Sequence, residues 1–211
     1  HGFVDLCGQL RFQKRWAHSP RIPETSVLGH MLIVAATAYL CSLEIGIRIC
    51  DNRFYNNFFA GLFHDLPEVL TKDIISPVKQ SVEGLDDIIK EYEDYRMNED
   101  LFPLLPESWH DEIVYFTKNE FLNKIKINEK ENEVSFKDLN NKYNLDNFSP
   151  IDGELLETCD KLAAFVEANL SIRYGIKSET LEEAQIKIYN EYGSRKFGKL
   201  NFKEIFDFFK V

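Results

Sequence analysis

The sequence has few cysteines, and they form no metal-binding or redox pattern. Only four of the 211 residues are cysteine, and no two of them stand in a CxxC spacing. This usage argues against a disulfide framework and against a cysteine-based zinc site, and it is typical of reduced thiols in a cytoplasmic protein. The four are Cys7, Cys41, Cys50 and Cys159.

Positive charge and long apolar runs are also in short supply. Lys and Arg number 25 against 35 Asp and Glu, which gives a formal net charge of −10 and a pI near 5.0. That balance argues against a broad surface for nucleic-acid polymers or anionic membranes, although a small anion can still bind locally. The longest apolar run, 31–43, is interrupted by Thr37 and Ser42 and is shorter than a membrane span. No stretch has the pattern of a secretory signal peptide.

No segment shows the strict alternation of a half-buried strand, whereas apolar residues recur at helical spacing throughout. With 44% hydrophobic and 13% aromatic residues the chain is globular. We therefore predict an all-α helical bundle forming a single domain over 1–211, with a polar, exposed insertion at about 123–148 that is rich in Lys, Glu and Asn. The predicted helices cover 27–45, 52–64, about 84–98, about 107–122, 150–174 and 202–209, and a further helix begins near Thr180.

Potential ligands for a metal ion are concentrated in the stretch 63–73. His64 and Asp65 are adjacent near the end of a predicted helix, and Glu68 follows at a spacing that returns it to the same side if the turn stays helical. Imidazole and carboxylate together suit a divalent metal ion. An isolated His-Asp pair is a weak motif, and a helix end capped by these residues is the ordinary alternative.

Two further polar residues lie on apolar helical faces elsewhere in the chain. His30 projects from the stripe that includes Met31 and Val34, and Asp160 lies on or beside the apolar stripe of the helix predicted at 150–174. A carboxylate facing a core is costly unless it is paired or bound to metal. Taken singly, His30 could be a core histidine and Asp160 could pair with an arginine.

A basic group precedes the first of these helices. It is unusual in an acidic chain, although charge runs are most often solvated surface. Its members are Arg11, Lys14, Arg15, His18 and Arg21.

Taken together, these positions resemble those of the HD-domain metal-dependent phosphohydrolases. In that family a first His, a His-Asp pair and a distant Asp hold a divalent ion within a helical bundle. The resemblance is closest to the bacterial HD-domain 5′-deoxynucleotidases, in which an Arg-Trp pair precedes the first His. Here that pair is Arg15-Trp16, and the run Asp65-Leu66-Pro67-Glu68-Val69-Leu70-Thr71-Lys72-Asp73 leads into Ser76-Pro77-Val78-Lys79. The segment 159–164 is similar to the helix with the distal Asp.

The resemblance implies an HD-type helical bundle that hydrolyses phosphomonoesters, with a nucleoside 5′-monophosphate as its small phosphorylated substrate. It implies one divalent ion, which could be Mn, Co, Fe, Ni, Zn or Mg. A homodimer is compatible with the sequence. The residues carried over fall into three roles: metal ligands His30, His64, Asp65 and Asp160; catalytic carboxylates Glu68 and Asp73; and substrate contacts Arg15, Trp16 and Lys79.

The chain departs from this family pattern in two places. Gly29 precedes the first His where the family usually has Glu, which removes a carboxylate that could orient His30. Asp65 and Asp160 are also farther apart than is usual, and the polar insertion accounts for the excess. Two other functions stay open: hydrolysis of another phosphoester, such as a cyclic dinucleotide or a guanosine polyphosphate, and a non-catalytic metal- or nucleotide-binding regulator.

Overall fold

The computed structural model describes residues 2–71 and 85–210, and the fold over these residues is predominantly helical. This confirms the prediction of an all-α helical bundle. The α-helices are α1 (Phe3–Cys7), α2 (Val27–Glu44), α3 (Asp51–Phe63), α4 (Glu68–Thr71), α5 (Leu85–Arg96), α6 (His110–Thr117), α7 (Phe136–Asn141), α8 (Gly153–Arg173), α9 (Glu179–Tyr192) and α10 (Phe202–Phe209). Short 3₁₀ turns cover Gly8–Arg11, Phe102–Leu104, Glu107–Trp109 and Asp146–Phe148, and a π-helical turn covers Met97–Leu101.

Helix α2 forms the inner wall of the bundle. Ser26 caps its first turn by accepting a hydrogen bond from the backbone N–H of Gly29 at 3.1 Å. Of the described helices, α2 alone is long and apolar enough to span a bilayer, and 44% of that window is buried inside the protein. Its buried face carries His30 among apolar residues, which favours a core helix.

Helices α2 and α3 approach each other closely at Gly61. A Cβ atom at this position would lie 3.0 Å from the Cα of Ala35, so a larger residue would push the two helices apart. Helix α8 packs against both, and the three helices share one apolar core. The close contact at Gly61 sets the end of α3, where His64 lies, beside the first turns of α2.

A buried ion pair fixes the start of α8 against α3. Arg53 and Asp152 have no solvent exposure, and the guanidinium donates to both carboxylate oxygens, with Nε at 2.7 Å from Oδ2. Asn57 donates to the same carboxylate at 2.7 Å. Burying two charges is costly unless both are fully hydrogen-bonded, and these hydrogen bonds form only when Arg53 of α3 lies opposite Asp152. The ion pair therefore specifies the register of the two helices.

The segment after α6 is structured and partly buried, contrary to the prediction of an exposed excursion without strands. An antiparallel hairpin joins β1 (Lys124–Ile127) to β2 (Lys130–Glu133), and a second short hairpin joins β3 (Lys196–Phe197) to β4 (Leu200–Asn201). Ile125 is fully buried, and Lys124 exchanges two backbone hydrogen bonds with Ile151 before α8. Four-residue strands with polar neighbours are too short to give a recognisable alternation. That this segment is an insertion stays a prediction.

Several predicted helix ends are also wrong. The helix predicted at 107–122 is a 3₁₀ turn followed by α6, which ends at Thr117. The helix predicted from 150 begins at Gly153, because Ser149 adopts a left-handed conformation with φ of 43° instead of capping the helix. The C-terminal helix at Phe202–Phe209 is confirmed.

We predict that Asp152→Ala lowers the free energy of unfolding by about 3–5 kcal/mol, because it leaves the Arg53 guanidinium buried without its carboxylate. Thermal and urea unfolding would measure the loss. The matched control is Glu24→Ala, which removes an exposed pair with Lys14 and should change stability little. Equal stability of the two variants would contradict the assigned role of the buried pair.

Candidate metal and substrate site

The four residues predicted as metal ligands come together where α2, α3 and α8 meet. His30 lies in the second turn of α2, His64 and Asp65 follow the last residue of α3, and Asp160 lies in the middle of α8. His30 is fully buried and the side chain of Asp65 is 20% exposed, so the group opens to solvent on one side.

The ligand atoms of this group lie within a few ångströms of one another. His30 Nε2 is 2.8 Å from Asp160 Oδ1, and His64 Nε2 is 3.1 Å from Asp65 Oδ2. The cross distances are 3.9 Å from His30 Nε2 to Asp65 Oδ2 and 4.0 Å from His64 Nε2 to Asp160 Oδ1. Ligands about 2.0–2.2 Å from a shared ion lie roughly 3–3.5 Å apart, so these separations are compatible with coordination of one cation.

The hydrogen bonding of His64 also fits a metal ligand. Its Nδ1 lies 2.8 Å from the backbone carbonyl oxygen of Gly61, which can only accept, so Nδ1 carries the hydrogen. In the neutral ring, Nε2 then presents a lone pair to Asp65, and Nε2 is buried without a hydrogen-bond partner among the described residues. A nitrogen lone pair facing a carboxylate is unfavourable unless a proton or a metal cation lies between them.

The electrostatics of the site favour a cation in the same way. Burial by itself lowers the pKa of His64, but the charge of Asp65 outweighs it and raises the pKa to about 9. Burial by itself raises the pKa of Asp65, but the charge of His64 holds it well below its usual range. The pKa of Asp160 is also lowered, because the charge of Lys161 and the hydrogen bond with His30 outweigh burial.

Arg15 and Trp16 lie beside this group, but they are not exposed in the way the sequence suggested. The Arg15 side chain is only 16% exposed, with its guanidinium 3.6 Å from Asp65 Oδ2 and 3.3 Å from Glu167 Oε2. Trp16 Nε1 donates to the same Glu167 oxygen at 2.8 Å. Interpreting the basic group as solvated surface is therefore wrong for Arg15 and for Arg21, which is buried and also contacts Glu167.

Two charged residues near the site were missed in the sequence. Glu167 stands seven residues after Asp160, a spacing of two helical turns that places both on one face of α8 and could have indicated it. Lys161 follows Asp160 directly, with its Nζ at 2.8 Å from Asp160 Oδ2. Adjacency alone gave no signal for Lys161, because neighbouring side chains on a helix do not face each other.

A cavity of about 360 Å³ opens beside the group. His64, Asp65 and Glu68 line it on the side of the metal ligands, and its wall also includes apolar side chains and two lysines. The further lining residues include the apolar Ile89, Met97, Phe102 and Val114, the lysines Lys90 and Lys118, and the acidic Glu93, Asp94 and Glu120. The cavity therefore combines charged groups with an apolar surface next to the ligand cluster.

The remaining sequence candidates have different positions. Glu68 begins α4 and lies in the cavity wall. Asp73 and Lys79 lie outside the described residues. His110, to which the sequence gave no ligand role, lies with Nε2 at 2.9 Å from the backbone oxygen of Phe102.

Comparisons with known proteins show the family and the fold of this chain. A family model described as "HD domain" matches residues 7–189. An HD-domain phosphohydrolase structure from Listeria innocua is 16% identical, with a TM-score of 0.71 over 97% of this chain and 84% of that one. The HD phosphohydrolase DatZ of cyanophage S-2L, bound to dA and one catalytic Zn²⁺ ion, is 14% identical, with a TM-score of 0.57 over 91% of this chain and 83% of that one. No curated protein matches in sequence.

We predict that metal affinity falls as the pH is lowered. A metal must displace the proton that His64 holds, and the pKa of His64 in the metal-free protein is raised to about 9. The dissociation constant for Zn²⁺ should therefore increase by up to about tenfold per unit as the pH falls from 8 to 6. Competition with a chelator of known pH dependence would measure it, and a constant affinity over this range would contradict the assignment of His64.

Proposed function

The chain belongs to the HD domain family of metal-dependent phosphohydrolases, and we propose that it releases phosphate from nucleoside 5′-monophosphates. The observation that carries this proposal is the cavity that opens directly on the ligand cluster. Its wall contains two lysines that can contact a phosphate, although carboxylates outnumber them, and another part of the wall is apolar, as a nucleobase requires. The likeness to DatZ, whose structure contains dA, supports the same substrate class.

In this proposal His30, His64, Asp65 and Asp160 hold the divalent ion. Two imidazoles and two carboxylates suit several divalent ions, including Zn²⁺ and Mn²⁺. When bound, such an ion supplies Lewis acidity at the phosphoryl group and makes water a better nucleophile.

We assign proton transfer to Glu68. Its place in the cavity wall, three residues after Asp65, puts a carboxylate on the substrate side of the ligand cluster. A carboxylate in that place can take a proton from the attacking water, a contribution of roughly 10²–10⁴ in rate for general acid–base catalysis. Asp73 stays a candidate for orienting the substrate on the strength of the sequence resemblance.

Substrate binding is assigned to the cations around the cluster. Arg15, at 3.6 Å from Asp65, is near enough to the ligands to contact phosphate oxygens, and its neighbour Trp16 can form part of the wall for the sugar or base. Lys161, beside Asp160, is a further candidate for a phosphate contact. Lys79 keeps the same role on the strength of the sequence resemblance alone.

The size of the cavity favours a mononucleotide over larger phosphoesters. A volume of about 360 Å³ is near the lower end of the range of about 300–1,000 Å³ for small-molecule sites. A cyclic dinucleotide carries a second nucleotide and is the less suitable ligand. The four cysteines are free thiols, which favours a reducing compartment such as the cytoplasm. The homodimer stays a prediction.

We predict phosphate release from several deoxynucleoside 5′-monophosphates when the protein is supplied with Mn²⁺, Co²⁺ or Zn²⁺. A panel that includes ribonucleotides, a cyclic dinucleotide and a guanosine polyphosphate would be assayed for phosphate and products, with His64→Ala as the inactive control. Turnover confined to the larger compounds would shift the function to another phosphoester. Nucleotide binding with no turnover under any metal would indicate a regulator.

A second prediction separates metal ligands from the residue that transfers the proton. His64→Ala and Asp160→Ala should lose metal and activity together, because each removes one of four protein ligands. Glu68→Gln keeps size and hydrogen bonding but cannot take a proton, so it should retain the metal while turnover falls by roughly 10²–10⁴. Elemental analysis and phosphate release would be measured on the same preparations. Loss of metal in Glu68→Gln would make Glu68 a ligand, and full activity would remove it from the mechanism.

A further inference from the structure

Glu167 is a buried carboxylate to which the proposed mechanism gives no role. It lies on α8 two turns after Asp160, and its side chain is 7% exposed. The guanidinium groups of Arg15 and Arg21 lie 3.3 Å and 3.2 Å from its Oε2, and both favour the charged carboxylate. The residue is therefore an anion at neutral pH, at a place where an uncompensated charge would be costly.

The two oxygens of Glu167 face different partners. Oε2 accepts a hydrogen bond from Trp16 Nε1 at 2.8 Å and lies 3.3 Å from Arg15 Nε and 3.2 Å from Arg21 Nη1. Oε1 lies 3.6 Å from His30 Nδ1. Both Oε1 and His30 Nδ1 are buried, and neither has a hydrogen-bond partner among the described residues.

The orientation of the His30 ring explains why its contact with Glu167 matters. Its Nε2 points to Asp160 Oδ1 and the ligand cluster, so in the neutral ring that binds a metal through Nε2 the hydrogen must be on Nδ1. A buried N–H needs an acceptor, and metal-bound histidines usually donate their second N–H to a carboxylate or a carbonyl. Gly29, the residue before His30, has no side chain that could accept it.

The distance of 3.6 Å is longer than a hydrogen bond, for which about 2.7–3.2 Å is typical. Such contacts are often long in ligand-free sites and tighten once the site is complete. Arg15, Arg21 and Trp16 all contact Oε2, so they hold the carboxylate in place and leave Oε1 towards the imidazole.

We propose that Glu167 is a positioning residue that accepts the Nδ1 hydrogen of His30 and so fixes the orientation of the ring for metal binding. The orienting carboxylate then comes from α8, and not from the residue before His30, which is Gly29 in this chain. The same carboxylate links Arg15 and Trp16 to the metal ligands through its other oxygen. This inference rests on the proposed metal site.

The test compares Glu167→Gln with Glu157→Gln in the full chain. Glu157 is a matched control, because it also lies on α8 and holds an arginine and a tyrosine hydroxyl, Arg195 at 2.7 Å and Tyr192 at 2.9 Å. Affinity for Zn²⁺ and Mn²⁺ would be measured by chelator competition. Glu167→Gln should bind each metal about 10–100-fold more weakly than the parent protein, and Glu157→Gln should bind equally well.

A second measurement does not depend on how well the variant folds. In the zinc-loaded parent protein with ¹⁵N-labelled histidine, NMR should show His30 with a hydrogen on Nδ1 and a resonance shifted downfield by a carboxylate acceptor. Through-bond correlation in the uniformly labelled parent protein assigns the signal, and Glu167→Gln should move it upfield.

The possible failures are distinguishable. A parent protein that binds neither metal would overturn the proposed metal site itself. A parent that binds metal with an unprotonated Nδ1 on His30, or a Glu167→Gln variant with unchanged affinity and an unchanged His30 signal, would overturn the role of Glu167 alone.

Discussion

Where α2, α3 and α8 meet, the imidazoles of His30 and His64 each lie within about 4 Å of the carboxylates of Asp65 and Asp160, and this buried group of charges constrains the surrounding structure. Carboxylates are rarely buried without compensation, because removing their hydration is costly. The apolar core of the same three helices supplies the packing energy that holds the donors together, and the close approach at Gly61 determines how near α3 comes to α2.

Around the ligand atoms lies a second layer of opposite charge. Arg15 contacts Asp65 and Glu167, and Lys161 contacts Asp160, so these three carboxylates each have a cation beside them. Hydrogen bonds in this layer also orient the rings, as the carbonyl of Gly61 does for His64. Removing such supporting contacts commonly weakens metal binding by about 10–100-fold. The loop that carries Arg15 is therefore part of the site, although it belongs to none of the three helices.

The fold and the site bear on function at different levels. Family membership gives metal-dependent phosphohydrolase chemistry, whereas the likenesses at 16% and 14% identity give the shared architecture. Choice of substrate depends on the cavity wall, to which α5, α6 and the π-helical turn contribute Ile89, Val114 and Met97. The polarity of that wall and the volume of the cavity are the features on which the proposal of a mononucleotide substrate rests.

The sequence by itself predicted the helical character of the chain and the candidate ligands His30, His64, Asp65 and Asp160, because these follow from residue type, local spacing and the resemblance to a family pattern. Only the tertiary structure decided which charges meet. The contact of Trp16 with Glu167 joins residues 151 positions apart, and no local pattern encodes a pairing over that distance. The burial of Ile125 in a short hairpin was hidden for the same reason, since the neighbouring Lys124 is hydrogen-bonded to Ile151, just before α8.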